Sequence, residues 1–214
     1  MTIEHHPADS LLAHFAAGSL EQAEHIVVAA HVSMCARCRR MVSAFERLGG
    51  DALASAEPAV MSAGAFDAVM ARIDLDKTDP VKEATEAAGE FGPLPKMLNH
   101  YQIGPAKWVA PGVSMRPIQL SGSGRARAFL LKSAPGTRML EHTHTETELT
   151  CVLQGSFDHE GGHFGPGDFD LGDPTVDHRP IVGTEGPCLC LVAMTGKLRI
   201  NGLLGRLIEP LIRL

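Results

Sequence analysis

The sequence predicts an α plus all-β chain of two domains, a small helical unit followed by a β-sandwich or barrel. Three observations predict it. Before residue 75, apolar side chains recur at helical intervals. After about residue 100, short strand-like runs alternate with turns rich in glycine and proline. Between them, DLDKTDPVKEATEAAGEFGPLP is crowded with charge and proline and poor in apolar residues, which reads as a linker. The boundaries are 1–75 for the helical domain, 76–97 for the linker, 98–196 for the β domain and 197–214 for an apolar tail packed on it.

The helical elements follow in order. DSLLAHFAAGSL offers Asp9 and Ser10 as caps and Gly18 as a stop. A second helical run starts at Leu20. In CARCRRMVSAFERLGG, the residues Cys38, Met41, Val42, Phe45 and Leu48 form one stripe; Ser33 is a candidate cap and Gly49-Gly50 a candidate end. Phe66, Val69, Met70 and Ile73 then stand at i, i+3, i+4, i+7, the spacing of one amphipathic helix. In the second half RARAFLLKS, LTCVLQGSF and CLCLVAM read as strands, with APGTR, GPGD and TEGP as turns.

Composition excludes several functions. A net charge of -6 and only a short basic run at Arg37, Arg39 and Arg40 argue against direct nucleic-acid binding. MTIEHHPADS lacks a secretory signal and no stretch has the roughly 18 apolar residues of a membrane span, so a cytoplasmic location is expected. The 5 cysteines are an odd number and in that compartment would stay reduced. The 11 histidines, against 1 Trp and 1 Tyr, give the chain a metal-binding flavour.

The first constellation is HVSMCARC. His31, Cys35 and Cys38 share one face if the helix is continuous, and the two thiols project together if a turn precedes Cys35. Three borderline-to-soft ligands suit structural zinc, which takes four N/S donors. His6 is the fourth candidate: it precedes Pro7, in an extended segment able to fold back. His5, His14 and His25 compete with it. A redox pair would want a βαβ setting, which is not visible, and two buried helix cysteines without a ligand remain the plain alternative. With helices around it, this motif resembles the zinc-binding anti-sigma domain of bacterial regulators. The resemblance implies that the domain wraps an extracytoplasmic-function sigma factor and that the helix of Phe66, Val69, Met70 and Ile73 packs on that partner; packing on its own bundle is the alternative.

The second constellation is GTRMLEHTHTETELTCVLQG, or G-x5-H-x-H-x3-E-x6-G. His142 and His144 point to one face of a strand, and Glu148 can return to it. Every fixed position matches the first cupin motif. His178, beyond GPGD in DPTVDH, stands where the second cupin motif carries its histidine, at a looser spacing. The resemblance implies a double-stranded β-helix barrel that holds a metal by His142, His144, Glu148 and His178. That donor set suits zinc, iron, manganese or nickel. His159 and His163 are expected on an exposed turn.

Together the halves resemble the ChrR family of anti-sigma factors. That resemblance implies two Zn2+ per chain, a group IV sigma factor as partner, and release in response to singlet oxygen or related oxidants, with the cupin half as the sensor. Cys188 and Cys190 face one side of a strand and are candidates for oxidation, although their Cα atoms stand too far apart for easy pairing. Simple packing in the barrel is the alternative for both. The rival to the whole reading is a metal-dependent cupin dioxygenase or isomerase carrying an N-terminal interaction module.

Overall fold

The computed structural model describes residues 2–75, 94–121 and 124–200. Most of the 76–97 linker and the tail beyond residue 200 lie outside these.

Four helices come first. Helix α1 (Asp9–Ala16) starts at Ala8 without a side-chain cap, so neither Asp9 nor Ser10 caps it; Asp9 instead lies in the first turn, where a carboxylate favours the helix dipole. Helix α2 (Gln22–Met34) begins with a capping box in which Glu21 and Glu24 exchange bonds with each other's backbone. Chain direction breaks at Cys35, whose extended backbone (φ -98, ψ 107) ends α2 and opens α3 (Ala36–Ala54). Cys35 is therefore the cap of α3, its Sγ accepting from the Cys38 amide at 3.5 Å. Ser33 donates instead to the Ala30 carbonyl at 2.7 Å. Gly49-Gly50 do not end α3, which runs on to Ala54. Glycine costs a helix about 1 kcal/mol per residue, and flanking leucine and alanine, both good helix formers, carry it through. Helix α4 (Ala65–Leu75) stands apart, with Phe66, Val69, Met70 and Ile73 all exposed.

The second half is a set of antiparallel strands. A six-stranded sheet runs in the order β1 (Lys107–Ala110), β2 (Val113–Ile118), β3 (Arg127–Ser133), β10 (Cys188–Met194), β5 (Glu148–Gln154), β8 (Phe169–Gly172). A three-stranded sheet orders β7 (Gly162–Phe164), β6 (Phe157–His159), β9 (Ile181–Val182), and β4 (His142–His144) pairs with β11 (Leu198–Ile200). The last glycine of the first cupin motif has a structural reason. Gly155 has φ +70, and a Cβ there would run into the backbone of Pro187.

Strand β10 explains how the halves join. Every residue of CLCLVAM is buried, because the strand is covered on both faces. Its Cys188, Cys190, Val192 and Met194 pack inside the barrel with Phe129, Val152 and Phe157. Its Leu189, Leu191 and Ala193 belong to the other core, with Ile26, Val27 and Ala30 of α2 and Leu12 of α1. Helix α2 thus lies on the outside of the sheet, against β10 and β5. Glu21 Oε2 accepts from the Ala126 amide at 2.9 Å and Gln22 Oε1 from the Ser121 amide at 2.8 Å. The sequence reads as two domains joined by a polar linker; the shared apolar core also joins them directly.

Candidate metal centres

The break at Cys35 builds the first centre. His31 on the last turn of α2 and Cys38 on the first turn of α3 converge with Cys35 between them. His6 closes the set, its Nδ1 lying 3.5 Å from both Cys35 Sγ and Cys38 Sγ. The ligand atoms of His6, His31, Cys35 and Cys38 all lie within 4.8 Å of one another. His5 points elsewhere, stacked on Phe164 at 4.1 Å.

Its electrostatics fit a metal that binds neutral imidazole and thiolate. Burial pushes His31 down to about 4, so the ring is neutral at pH 7. Its Nδ1–H donates to the Gly167 carbonyl at 2.7 Å, which leaves the Nε2 lone pair. That Nε2 is buried and has no hydrogen-bond partner. A buried acceptor left unpaired is costly unless something else satisfies it, and a metal ion does so. His6 is also lowered, by burial and then by Arg37. Burial, then the hydrogen bond and charge of Cys35, push the Cys38 thiol up to about 12, so its proton leaves only in exchange for a cation.

The second centre sits inside the barrel. His142 and His144 alternate on β4 and His178 bridges to His142 through paired backbone bonds of 3.1 and 3.0 Å. His178 Nε2 stands 2.9 Å from His142 Nε2 and 3.2 Å from His144 Nε2. His142 donates from Nδ1 to the Leu140 carbonyl at 2.7 Å, which turns its Nε2 into the cluster. Burial holds His144 and His178 down to about 4 and lowers His142 as well, so all three are neutral. Three neutral imidazoles with their nitrogens facing each other form a set that could hold a metal ion. Glu148 is placed differently. Its Oε2 faces Nδ1 of His144 at 3.7 Å, and burial, then the charge of Asp170, raise its carboxyl to about 7.

His159 is not on an exposed turn. It is half-buried, and its Nε2 lies 3.1 Å from Asp170 Oδ2. His159, Asp170 and His178 make a further set with metal-ligand spacing. The sequence held one signal for it, because Asp170 follows the GPGD turn into a strand. His163 is exposed and pairs with Asp158.

A cavity of about 400 Å³ opens beside the second centre. Phe129, Leu131, Phe157 and Met194 line it, with His142, His178 and Glu148 at its polar end. Cys188 and Cys190 line it too, and their sulfurs meet at 3.6 Å, closer than an extended strand suggested. The hydrogen bond from Cys188, together with burial, raises the Cys190 thiol.

Over its full length the chain is 35% identical, across 216 residues, to the anti-sigma-E factor ChrR of Cereibacter sphaeroides, covering 100% of both. The chain belongs to the ChrR family of anti-sigma factors. Residues 99–198 match the ChrR cupin-like domain. The crystal structure of Rhodobacter sphaeroides SigE in complex with the anti-sigma ChrR superposes with a TM-score of 0.72 and 32% identity, over 90% of this chain and 99% of that one. Cupin-like is thus the family's own description of the β half, and no helix among the described residues is long and apolar enough to cross a membrane.

Proposed function

We propose that this protein binds and inhibits a group IV, extracytoplasmic-function sigma factor and releases it when singlet oxygen or a related oxidant reaches the cupin half, so regulating transcription. The full-length likeness to an anti-sigma factor solved with its sigma factor carries this reading. In it, both centres hold zinc, two Zn2+ per chain. His6, His31, Cys35 and Cys38 hold the first, which shapes the inhibitory helices. His142, His144 and His178 hold the second, with Glu148 as the fourth donor. A zinc ion there supplies a Lewis-acidic point inside the barrel. The chain supplies neutral imidazoles, an apolar cavity that admits a small oxidant, and the Cys188–Cys190 pair as nearby oxidisable sulfur.

Helix α4 is the partner-binding element of this proposal. Phe66 is 71% exposed and Val69, Met70 and Ile73 extend the same stripe. An exposed apolar stripe of that size is suited to a groove on another protein. Leu48, read from the sequence as the last residue of the α3 stripe, is 67% exposed, and Leu53, which sequence reasoning passed over, is 78% exposed; both widen the apolar area of this half.

Co-expression of the whole chain with a candidate extracytoplasmic-function sigma factor tests the reading. A complex that elutes as a unit and blocks transcription supports it. Failure to bind any such factor, with oxygen uptake on a small substrate by an iron-loaded barrel, would establish the enzyme instead. Val69→Asp separates binding from folding. It leaves thermal stability within about 0.5 kcal/mol, as exposed positions do, and weakens the complex by ten-fold or more, read by titration.

A further inference from the structure

The first metal centre draws its ligands from the helical half but its supports from the barrel. His31 is oriented by the Gly167 carbonyl, across a sequence separation of 136. The segment that carries His6 is held by one carboxylate: Asp168 Oδ1 accepts from the amides of Glu4 at 2.7 Å and His5 at 2.9 Å. Its Oδ2 accepts from the Gly165 amide at 2.8 Å, which fixes the turn itself. The Phe169 amide donates to the His5 carbonyl at 3.2 Å, so residues 4–5 run along the entry to β8. His5 adds its ring stack on Phe164 and a bond to the His163 carbonyl at 3.1 Å.

Position 167 accepts only glycine. Its φ is +92, and a Cβ there would stand 2.5 Å from Cδ1 of Ile3. Asp168 is buried, and bonds from the His5, Gly165 and Glu4 amides outweigh that burial to hold its carboxyl below the usual range. It is therefore an anion with several amide donors, a rigid anchor rather than a solvated surface charge.

We propose that the Gly165–Asp168 turn of the barrel is the outer shell of the first metal centre, with Asp168 and Gly167 as positioning residues, so that the barrel controls how firmly the helical half keeps its metal. The proposal rests on the reading that His6, His31, Cys35 and Cys38 bind a metal. Outer-shell partners typically change metal affinity by about 10–100-fold when lost. Here they align both imidazoles: one through a tautomer, the other through the path of its backbone. The same strand entry leads on to Asp170, which touches His159 beside His178. The turn thus stands between the two centres.

Full-length chain loaded with cobalt tests this. Thiolate-to-cobalt absorption arises where cysteine sulfur binds cobalt, and the part of the band that Cys38→Ser abolishes reports the first centre, since Cys188 and Cys190 line the barrel cavity; cobalt lost without change in that part comes from elsewhere. Release to excess chelator is timed in the wild type, Asp168→Ala and Asp168→Asn. Asp168→Ala is expected to release thiolate-bound cobalt at least about ten-fold faster, while barrel cobalt leaves at the wild-type rate. Asp168→Asn keeps one acceptor oxygen and falls between. An unchanged rate in Asp168→Ala overturns the proposal, and so does equal acceleration at both centres, which would mark a general loss of stability. Should Asp168→Ala not fold, His5→Ala removes the stack on Phe164 from a half-buried position; about three-fold faster release supports the proposal and no change overturns it. A wild type with no thiolate band would instead remove the metal reading beneath it.

Discussion

The two centres differ in what holds them and in what they leave open. The first gathers two thiols and two imidazoles, with Cys35, Cys38 and His31 buried. The second gathers three imidazoles, two of which, His142 and His178, line a cavity of about 400 Å³, with Glu148 facing the third at 3.7 Å. Closed four-donor N/S sets are the pattern of structural zinc, and sets of imidazole and carboxylate beside an open cavity suit a metal that small molecules can reach. The difference supports the proposed division of work, in which one set shapes the helices and the other meets small molecules.

Removing one thiol should break the comparison most severely. In Cys38→Ser the first centre loses a soft donor that also sits in the first turn of α3. Structural zinc contributes on the order of 10 kcal/mol to small domains. The expected result is one metal per chain by mass analysis, loss of helical circular dichroism, and no sigma-factor binding. His144→Ala should do the reverse. It removes one imidazole of the second set and leaves the first centre, the helices and sigma-factor binding intact, while the response to singlet oxygen falls at least about ten-fold. Loss of binding in His144→Ala would show that the barrel itself holds the partner.

Much of this division was legible in the sequence, for a physical reason. Ligands close along the chain keep their spacing whatever surrounds them, so His31, Cys35 and Cys38 and the pair His142 and His144 could be read directly. His6 was legible only through Pro7, which keeps its segment extended. The supports were not legible. Gly167 reaches His31 from the far half of the chain, and a backbone carbonyl leaves no mark in composition. His159 looked like a turn residue because GG follows it, yet β6 turns it toward Asp170. Strand β10 was read as a strand but not as the wall between two cores, since an unbroken apolar run does not say what covers each face.

Acidification should sharpen the comparison in a graded way. At the first centre both thiols must give up protons to a metal, and burial has pushed Cys38 up to about 12. Metal binding there releases about two protons, so affinity falls by up to about 100-fold for each pH unit lost near neutrality. At the second centre His144 and His178 are held down to about 4 and give up none above that pH. His142 is lowered too, so Glu148, raised to about 7, is the main contributor and the slope there is shallower than at the first centre. Chelator competition between pH 6 and pH 8 measures both slopes. Equal slopes would mean that the two sets do not differ in the protons they carry.

The smallest expected effect decides which imidazoles the second metal uses. His178 belongs to two candidate sets, one with His142 and His144, the other with His159 and Asp170. The first is entirely buried and its three nitrogens already face one another. In the second, His159 and Asp170 are only partly buried, and Asp170 Oδ2 lies 3.1 Å from His159 Nε2. Asp170→Asn keeps the shape and removes the charge. Because the Asp170 carboxylate raises Glu148, the variant should lower the Glu148 pKa and let that carboxylate form at lower pH. Metal affinity at the second centre should then change by less than about three-fold, an effect far smaller than that of losing a ligand. A loss of 100-fold or more would place the metal on His159, Asp170 and His178, nearer the β8 strand that also anchors the first centre.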